Sequence, residues 1–336
     1  MAANRWDQLI DQWDATLRKA FLDSVYRLRD QAQLDAISRA LERGDVNGAL
    51  RAVGLDPASF RAWDKTFEAA FEAGGTATVS ALPVLRDAAG YRLVVQFNIR
   101  NPQAEAWLRN HSSTLVREIL DDQRDMIRTH LANGMARGVN PRTSALDLVG
   151  RIGATGRREG GVIGLTSSQA EWVRRYEAEL ASDAPGAALA RELRDRRFDA
   201  AVRRAADAGE PVPASIRAKM VTAYRNRALR FRAEALARTE AMAALHTAQD
   251  EAINQAVSAG AIDQTAVTFA WRTARDKRVR DSHKAMEGQT RPMGVPFRSG
   301  SGAMLRYPGD PSAPASERIN CRCWREPVVD FLANVA

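Results

Sequence analysis

The sequence predicts a mainly α protein with a small C-terminal α+β domain: a multi-helix body followed by a compact domain with a few short strands. Three observations predict it. Apolar residues recur at three- and four-residue steps through most of the chain. Alanine and arginine, which lose little on entering a helix, are abundant. Alternating, strand-like stretches gather only after about Gly260. The expected organisation is an N-terminal helical segment over 1–55, a helical body over 56–235 with a short strand near 91–99, and the α+β domain over 236–336.

The first segment carries one stripe, Trp6, Leu9, Ile10, Trp13, Leu17, Phe21 and Val25. A second helix pattern runs from about Asp30 to Leu41 and ends at the turn-rich "RGDVNG". Trp6, Trp13 and Trp63 read as core residues of a helical unit rather than partner anchors. "AGGTATVSALPVL" breaks the helical pattern, and "YRLVVQFNI" alternates as a strand would. Helix resumes at Pro102, with Asn101 as its cap and Gly134 and Gly138 marking its end. "NPRTSALDLVGRIG" reads as a short helix. "ATGRREGGVIG" reads as a surface loop, since it lacks the strand, helix and Gly-Lys-Ser/Thr ending of a phosphate-binding loop. "LTSSQAEWVRRYEAEL" starts a helix, with Ser168 and Glu171 spaced as a capping box. Helical patterns continue through "AALARELRDRRFDAAVRRAADAG". After the break "EPVPAS" a long helix runs from about Ser215 into the 250s.

Part of that helix is densely basic. Arg217, Lys219, Arg225, Arg227, Arg230, Arg232 and Arg238 have only Glu234 as a counter-charge within it. The whole chain of 336 residues carries a net charge of +8 and a pI near 10.0, which favours a polyanionic partner or an acidic protein surface. No apolar run is long enough to span a bilayer, so no membrane partner is expected. The amphipathic N-terminus lacks the pattern of a secretory signal, and the two cysteines fit a reducing compartment.

Beyond Gly260, "TAVTFAWRT" and "INCRCWREPVV" read as strands, "DKRVRDSHKAMEG" as a short helix, and 289–320 as loop. Polar residues concentrate here, and three chemistries compete for them. Cys321 and Cys323, two apart on a strand, could share an ion with His283 and Asp276; structural zinc takes four ligands, and the supply is short. Either cysteine could act as a nucleophile with His283, oriented by Asp276 or Glu317, although no cysteine-protease signature surrounds them. A nuclease or transferase could use His283 with Glu240, Asp276 or Glu317 amid Arg272, Arg275, Lys277, Arg278 and Arg280. Against these stands a structural reading, in which Asp276 caps a helix and the thiols are buried as small hydrophobes.

Taken together, "ARTEAMAALHTAQDEA", "FAWRTARDKRVRDSHKAMEGQT" and "ERINCRCW" resemble, in order, the C-terminal domain of the phage Mu F-like head-morphogenesis (minor head protein) family. The resemblance covers about residues 235–328 and is carried by Arg238, Thr239, Glu240, Trp271, Thr273, Asp276, Arg278, Val279, Arg280, His283, Gly288, Asn320, Cys321 and Cys323. It implies a structural protein of a tailed bacteriophage, made in the host cytoplasm and placed in the head interior or at the portal vertex. Its implied partners are the portal protein and the major capsid or scaffold protein, with double-stranded DNA in reach of the basic helix. It implies no catalytic residues and no cofactor, leaving zinc on His283, Cys321 and Cys323 as the rival reading of the thiols. Some members carry a toxin-like enzymatic domain after the signature; none is expected here, where the chain ends soon after Cys323.

Overall fold

Pro102 shows how local sequence sets these helices. It opens a helix as the first residue inside it, where a missing N–H costs nothing, and the Asn101 carboxamide accepts a hydrogen bond from Gln103 N at 2.9 Å. The computed structural model describes residues 5–84, 91–154 and 156–330. Its helices are α1 (Arg5–Gln31), α2 (Leu34–Glu42), α3 (Val46–Val53), α4 (Arg61–Ala81), α5 (Pro102–Ala136), α6 (Pro141–Val149), α7 (Ser167–Ala181), α8 (Asp199–Ala208), α9 (Ala214–Ser258), α10 (Asp281–Lys284) and α11 (Ala315–Arg318). Its strands are β1 (Arg151–Ile152), β2 (Arg158–Glu159), β3 (Val267–Thr273), β4 (Thr290–Pro292), β5 (Phe297–Arg298), β6 (Met304–Leu305) and β7 (Cys323–Val329). The expected class, mainly α with a small C-terminal α+β region, is the one observed. Among the described residues no helix is long and apolar enough to cross a membrane.

The chain divides into two compact units that are discontinuous in sequence. One takes its residues from 1–20, 63–112 and 234–336, the other from 21–62 and 113–233. The three consecutive segments expected from sequence follow a different division, although the step near residue 235 is close to one boundary. Helical periodicity reveals that a stripe exists but not which stripe it will pack against, so discontinuous pairing is invisible to it.

In the first unit, β3 is the central strand of an antiparallel sheet of order β4-β3-β7. Thr273 faces Cys323 and Trp271 faces Arg325 across the β3–β7 ladder. The alternation Val267, Phe269, Trp271, Thr273 turns one face of β3 into the interior, as a period of two requires. That face packs with Met242, Leu245 and Ile253 of α9 and with Met286, Phe297, Leu305, Cys321 and Cys323. Trp6 and Trp13 pack half-buried against this core, while Trp63 is fully buried.

Several local expectations are corrected. Residues 74–81 do not break the helix, for α4 continues through them. The glycine is there for packing: a Cβ on Gly74 would lie 2.8 Å from Leu245 O and 2.9 Å from its Cα, so only glycine allows this approach to α9. Residues 91–99 form no strand element; Arg92 makes an isolated bridge, and Asn98 bonds through its backbone to the Gln255 side chain at 2.8 and 3.0 Å. A side chain has taken the place of a ladder partner.

In the second unit, α3 forms within the stretch read as a turn, capped by Asp45. The capping box of α7 uses Thr166 and Gln169, earlier in the chain than the expected Ser168 and Glu171, because Thr166 is the extended residue before the first turn. Residues 185–198, expected as continuing helix, hold short 3-10 turns. The loop at 151–159 closes as the small hairpin β1–β2.

Candidate functional site

The C-terminal region gathers its polar residues around one buried group. β3 ends at Thr273, and the chain returns through a turn to α10, which carries His283. That side chain is 1% exposed, as are Cys321 and Cys323. His283 Nδ1 lies 3.5 Å from each of the two cysteine sulfurs. On the other side of the ring, Nε2 lies 2.8 Å from Glu317 Oε2, at ion-pair distance. Trp271 meets the imidazole edge-on, with centroids 5.4 Å apart.

Each member is held by a neighbour the sequence had marked. Glu317 accepts from Ser301 Oγ at 2.5 Å and from Ser282 Oγ at 3.0 Å. Burial raises its carboxyl pKa, but these hydroxyls and His283 outweigh burial and hold it below the usual range. Arg280 donates to the backbone carbonyls of Glu317, at 2.6 Å, and Ile319, pinning α11 beside α10. Asn320 has φ +55°, a left-handed conformation that asparagine tolerates better than most residues. The turn there brings Cys321 to the same side as Cys323. Thr239 Oγ1 accepts from Asn320 N at 3.2 Å and donates to Ala235 O at 2.7 Å. Arg238 reaches Cys321 O at 3.4 Å and pairs with Asp11 at 2.7 Å.

The remaining signature residues brace the approach to His283. Thr273 N and Oγ1 donate to Glu287 Oε2 at 2.7 and 2.6 Å, and Arg275 holds the other oxygen at 2.9 Å. Asp276 accepts from Arg278 N at 2.9 Å and from Arg322 Nε at 2.8 Å. Val279 is buried. Gly288 has φ +77° and donates to Trp271 O at 2.9 Å, closing the turn that no L residue would enter freely.

Three sequence expectations change. His283 finds neither Glu240 nor Asp276: the Glu240 carboxylate is 2.6 Å from His111 Nε2, and Asp276 is bound to Arg322. Asp276 is therefore also absent from the ligand group, which among the described residues is His283, Cys321 and Cys323. Of the three carboxylates considered, Glu317 stands beside His283, while Glu240 and Asp276 each meet a nearer partner. Sequence reasoning missed Ser282 and Ser301, which carry no motif, and His111, which lies 129 residues from Glu240. Glu317 was in view, in the same "ERINCRCW" stretch.

The two thiols titrate together. A hydrogen bond from the Cys323 thiol holds Cys321 well below the usual thiol range against the effect of burial, and His283 adds to it. That same contact, then burial, pushes Cys323 up. Both sulfurs sit beside one imidazole. Such a group can bind a soft cation or hold a thiolate. Its burial withholds it from a bulky substrate.

The basic stretch of α9 is less one-sided in space than in sequence. Within the second unit Arg225 is buried and pairs with Asp147 at 3.1 Å, Arg227 pairs with Asp195 at 3.3 Å, and Arg232 pairs with Asp122 at 3.7 Å and donates to Gly164 O. Arg217 is half-buried and donates to Val212 O at 3.2 Å. Lys219 and Arg230 are exposed. The counter-charges come from other helices and loops, where a reading confined to α9 could not find them.

The site residues from Arg238 to Cys323 fall inside a longer match. Residues 186–325 match the model of a family described as phage Mu protein F like protein. This region resembles that family. No curated protein and no solved structure matches the chain.

Proposed function

We propose that this protein is a minor head protein of a tailed bacteriophage, placed in the head interior or at the portal vertex and bound to the portal and to the major capsid or scaffold protein. The observation that carries the reading is the use made of the signature residues. Arg238, Thr239, Thr273, Asp276, Arg280, Gly288 and Asn320 all spend their polar groups or backbone geometry on building one closed domain. A domain assembled this way suits a structural role, and Glu240 and Asp276, each bound elsewhere, give His283 no acid–base partner. Cross-linking mass spectrometry of purified heads tests the placement. Peptides of this chain should cross-link to the portal protein; heads that lack the chain, or cross-links confined to tail proteins, would sink the reading.

Contact with packaged double-stranded DNA belongs to the exposed Lys219 and Arg230, with Arg217 beside them, and not to Arg225, Arg227 or Arg232. DNA binding by the purified protein is expected to weaken as salt rises. Lys219→Ala and Arg230→Ala should each lower the slope of log affinity against log salt by about 1. An unchanged slope in the double variant would remove DNA from the partners of this helix.

A further inference from the structure

The ligand atoms of His283, Cys321 and Cys323 lie within 4.8 Å of one another, and all three side chains are buried. We propose that these three residues bind a zinc ion through His283 Nδ1 and the two sulfurs, with Glu317 orienting the imidazole from its far side and water in the remaining position.

Donor chemistry selects the class of metal. Two thiolates and an imidazole form a soft set that suits zinc and excludes magnesium or calcium, which take oxygen ligands. Three protein ligands leave one position of a tetrahedron open for water. Charge favours the same ion. A divalent cation with two thiolates and a neutral imidazole sums to zero, so the bound centre is buried without a net charge. Whatever thiol protons the two sulfurs still carry leave to solvent as the ion enters.

Geometry outside the ligands agrees. Metal on Nδ1 fixes the imidazole proton on Nε2, and that nitrogen faces Glu317 at 2.8 Å. A carboxylate behind a metal-bound histidine is a recurrent second layer that sets the tautomer and the ring angle. Glu317 is itself fixed by Ser282 and Ser301.

Without an ion the group is poorly served. Nδ1 has one lone pair, two sulfurs sit at the same distance from it, and Trp271 meets the ring edge-on. The surroundings also need a tie. Between His283 and Cys323 the chain contains only two- and three-residue strands and a four-residue helix, few regular hydrogen bonds for so many residues. Joining α10 to the turn before β7 closes that segment, which is where a bound metal contributes most to folding.

The test uses the full chain purified under reducing conditions without chelator. Metal analysis should find about one zinc per chain. Cobalt titrated into chelator-treated protein should give sulfur-to-cobalt charge-transfer absorption and the intense visible bands of tetrahedral coordination. Cys321→Ser and Cys323→Ser should abolish the charge-transfer band. Glu317→Gln should keep the stoichiometry and lower zinc affinity by about 10- to 100-fold in competition with a chelator. If the cysteine variants fail to fold, the cobalt spectrum of the wild type still decides. Folded protein that binds no zinc, or binds it with no sulfur charge-transfer band, overturns the assignment. The outcome is independent of where the protein sits in the particle.

Discussion

Arg29→Met is expected to destabilise the second unit by about 3 kcal/mol, although it removes no ion pair from the surface. Arg29 lies on α1 and is 1% exposed. Its guanidinium donates to Gly161 O at 2.7 Å, to Ile163 O at 3.0 and 2.7 Å, and to Arg158 O at 3.3 Å. Burial lowers its pKa to about 10, so it stays charged at neutral pH while its hydrogen bonds go to backbone carbonyls. The loop after β2 has little internal ladder, and this cation satisfies the carbonyls of Gly161 and Ile163. Methionine keeps most of the aliphatic stem but leaves buried acceptors without donors, each costing roughly 1–3 kcal/mol. Recovering the cost of burying a charge offsets part of that loss. Hydrogen exchange across residues 113–233 is the measurement, because a chain of two units has no single unfolding free energy. Arg39→Met, at an exposed position, should shift exchange by less than about 0.5 kcal/mol. A loss below about 1 kcal/mol for Arg29→Met would mean that the loop finds other donors.

Arg29 also shows where the sequence stops being legible. On α1 it reads as one more arginine on a polar face, and nothing local says that a loop about 130 residues away will fold over it. The same limit hid the partners of Arg225, Arg227 and Arg232, and the pairing of His111 with Glu240. What was legible was local or periodic. The Asn101–Pro102 start of α5, the extent of α9, and the strands β3 and β7 all rest on patterns a few residues long. The membership of the buried group was legible too, since His283, Cys321, Cys323 and Glu317 each stood out by residue type. Their mutual arrangement was not, because it depends on a left-handed turn at Asn320 and on two serines with no distinguishing context. Gly74 was misread for a related reason. Glycine in a window suggests a break, and only the partner helix reveals that the missing Cβ is a packing requirement.

Acid should expose a second buried cost, at His246 in the first unit. His246 is fully buried on α9, with Nδ1 3.0 Å from Met242 O and Nε2 without a partner. Its ring stacks on Trp6 at 5.6 Å and lies parallel to Tyr307 at 6.4 Å. Burial lowers its pKa to about 3, and the cations of Arg325 and Arg238 add to that, against the carbonyl of Met242. In the unfolded chain a histidine takes a proton at about pH 6.5. Between those values the unfolded state binds more protons than the folded state, so stability falls as pH falls, by at most ~1.4 kcal/mol per pH unit. From about pH 7 to about pH 4.5 this one residue is expected to cost about 2.5 kcal/mol. Carboxylates held below their usual range, such as Glu317 and Asp310, lose their own contribution as pH falls further, through their folded pKa values. The comparison of His246→Phe with wild type separates the two, because phenylalanine keeps the stack and cannot titrate. Exchange protection of the 234–258 amides should fall by about 2.5 kcal/mol less in the variant over that interval. Equal slopes in the two proteins would show that His246 is protonated in the folded state, and that Nε2 finds an acceptor there.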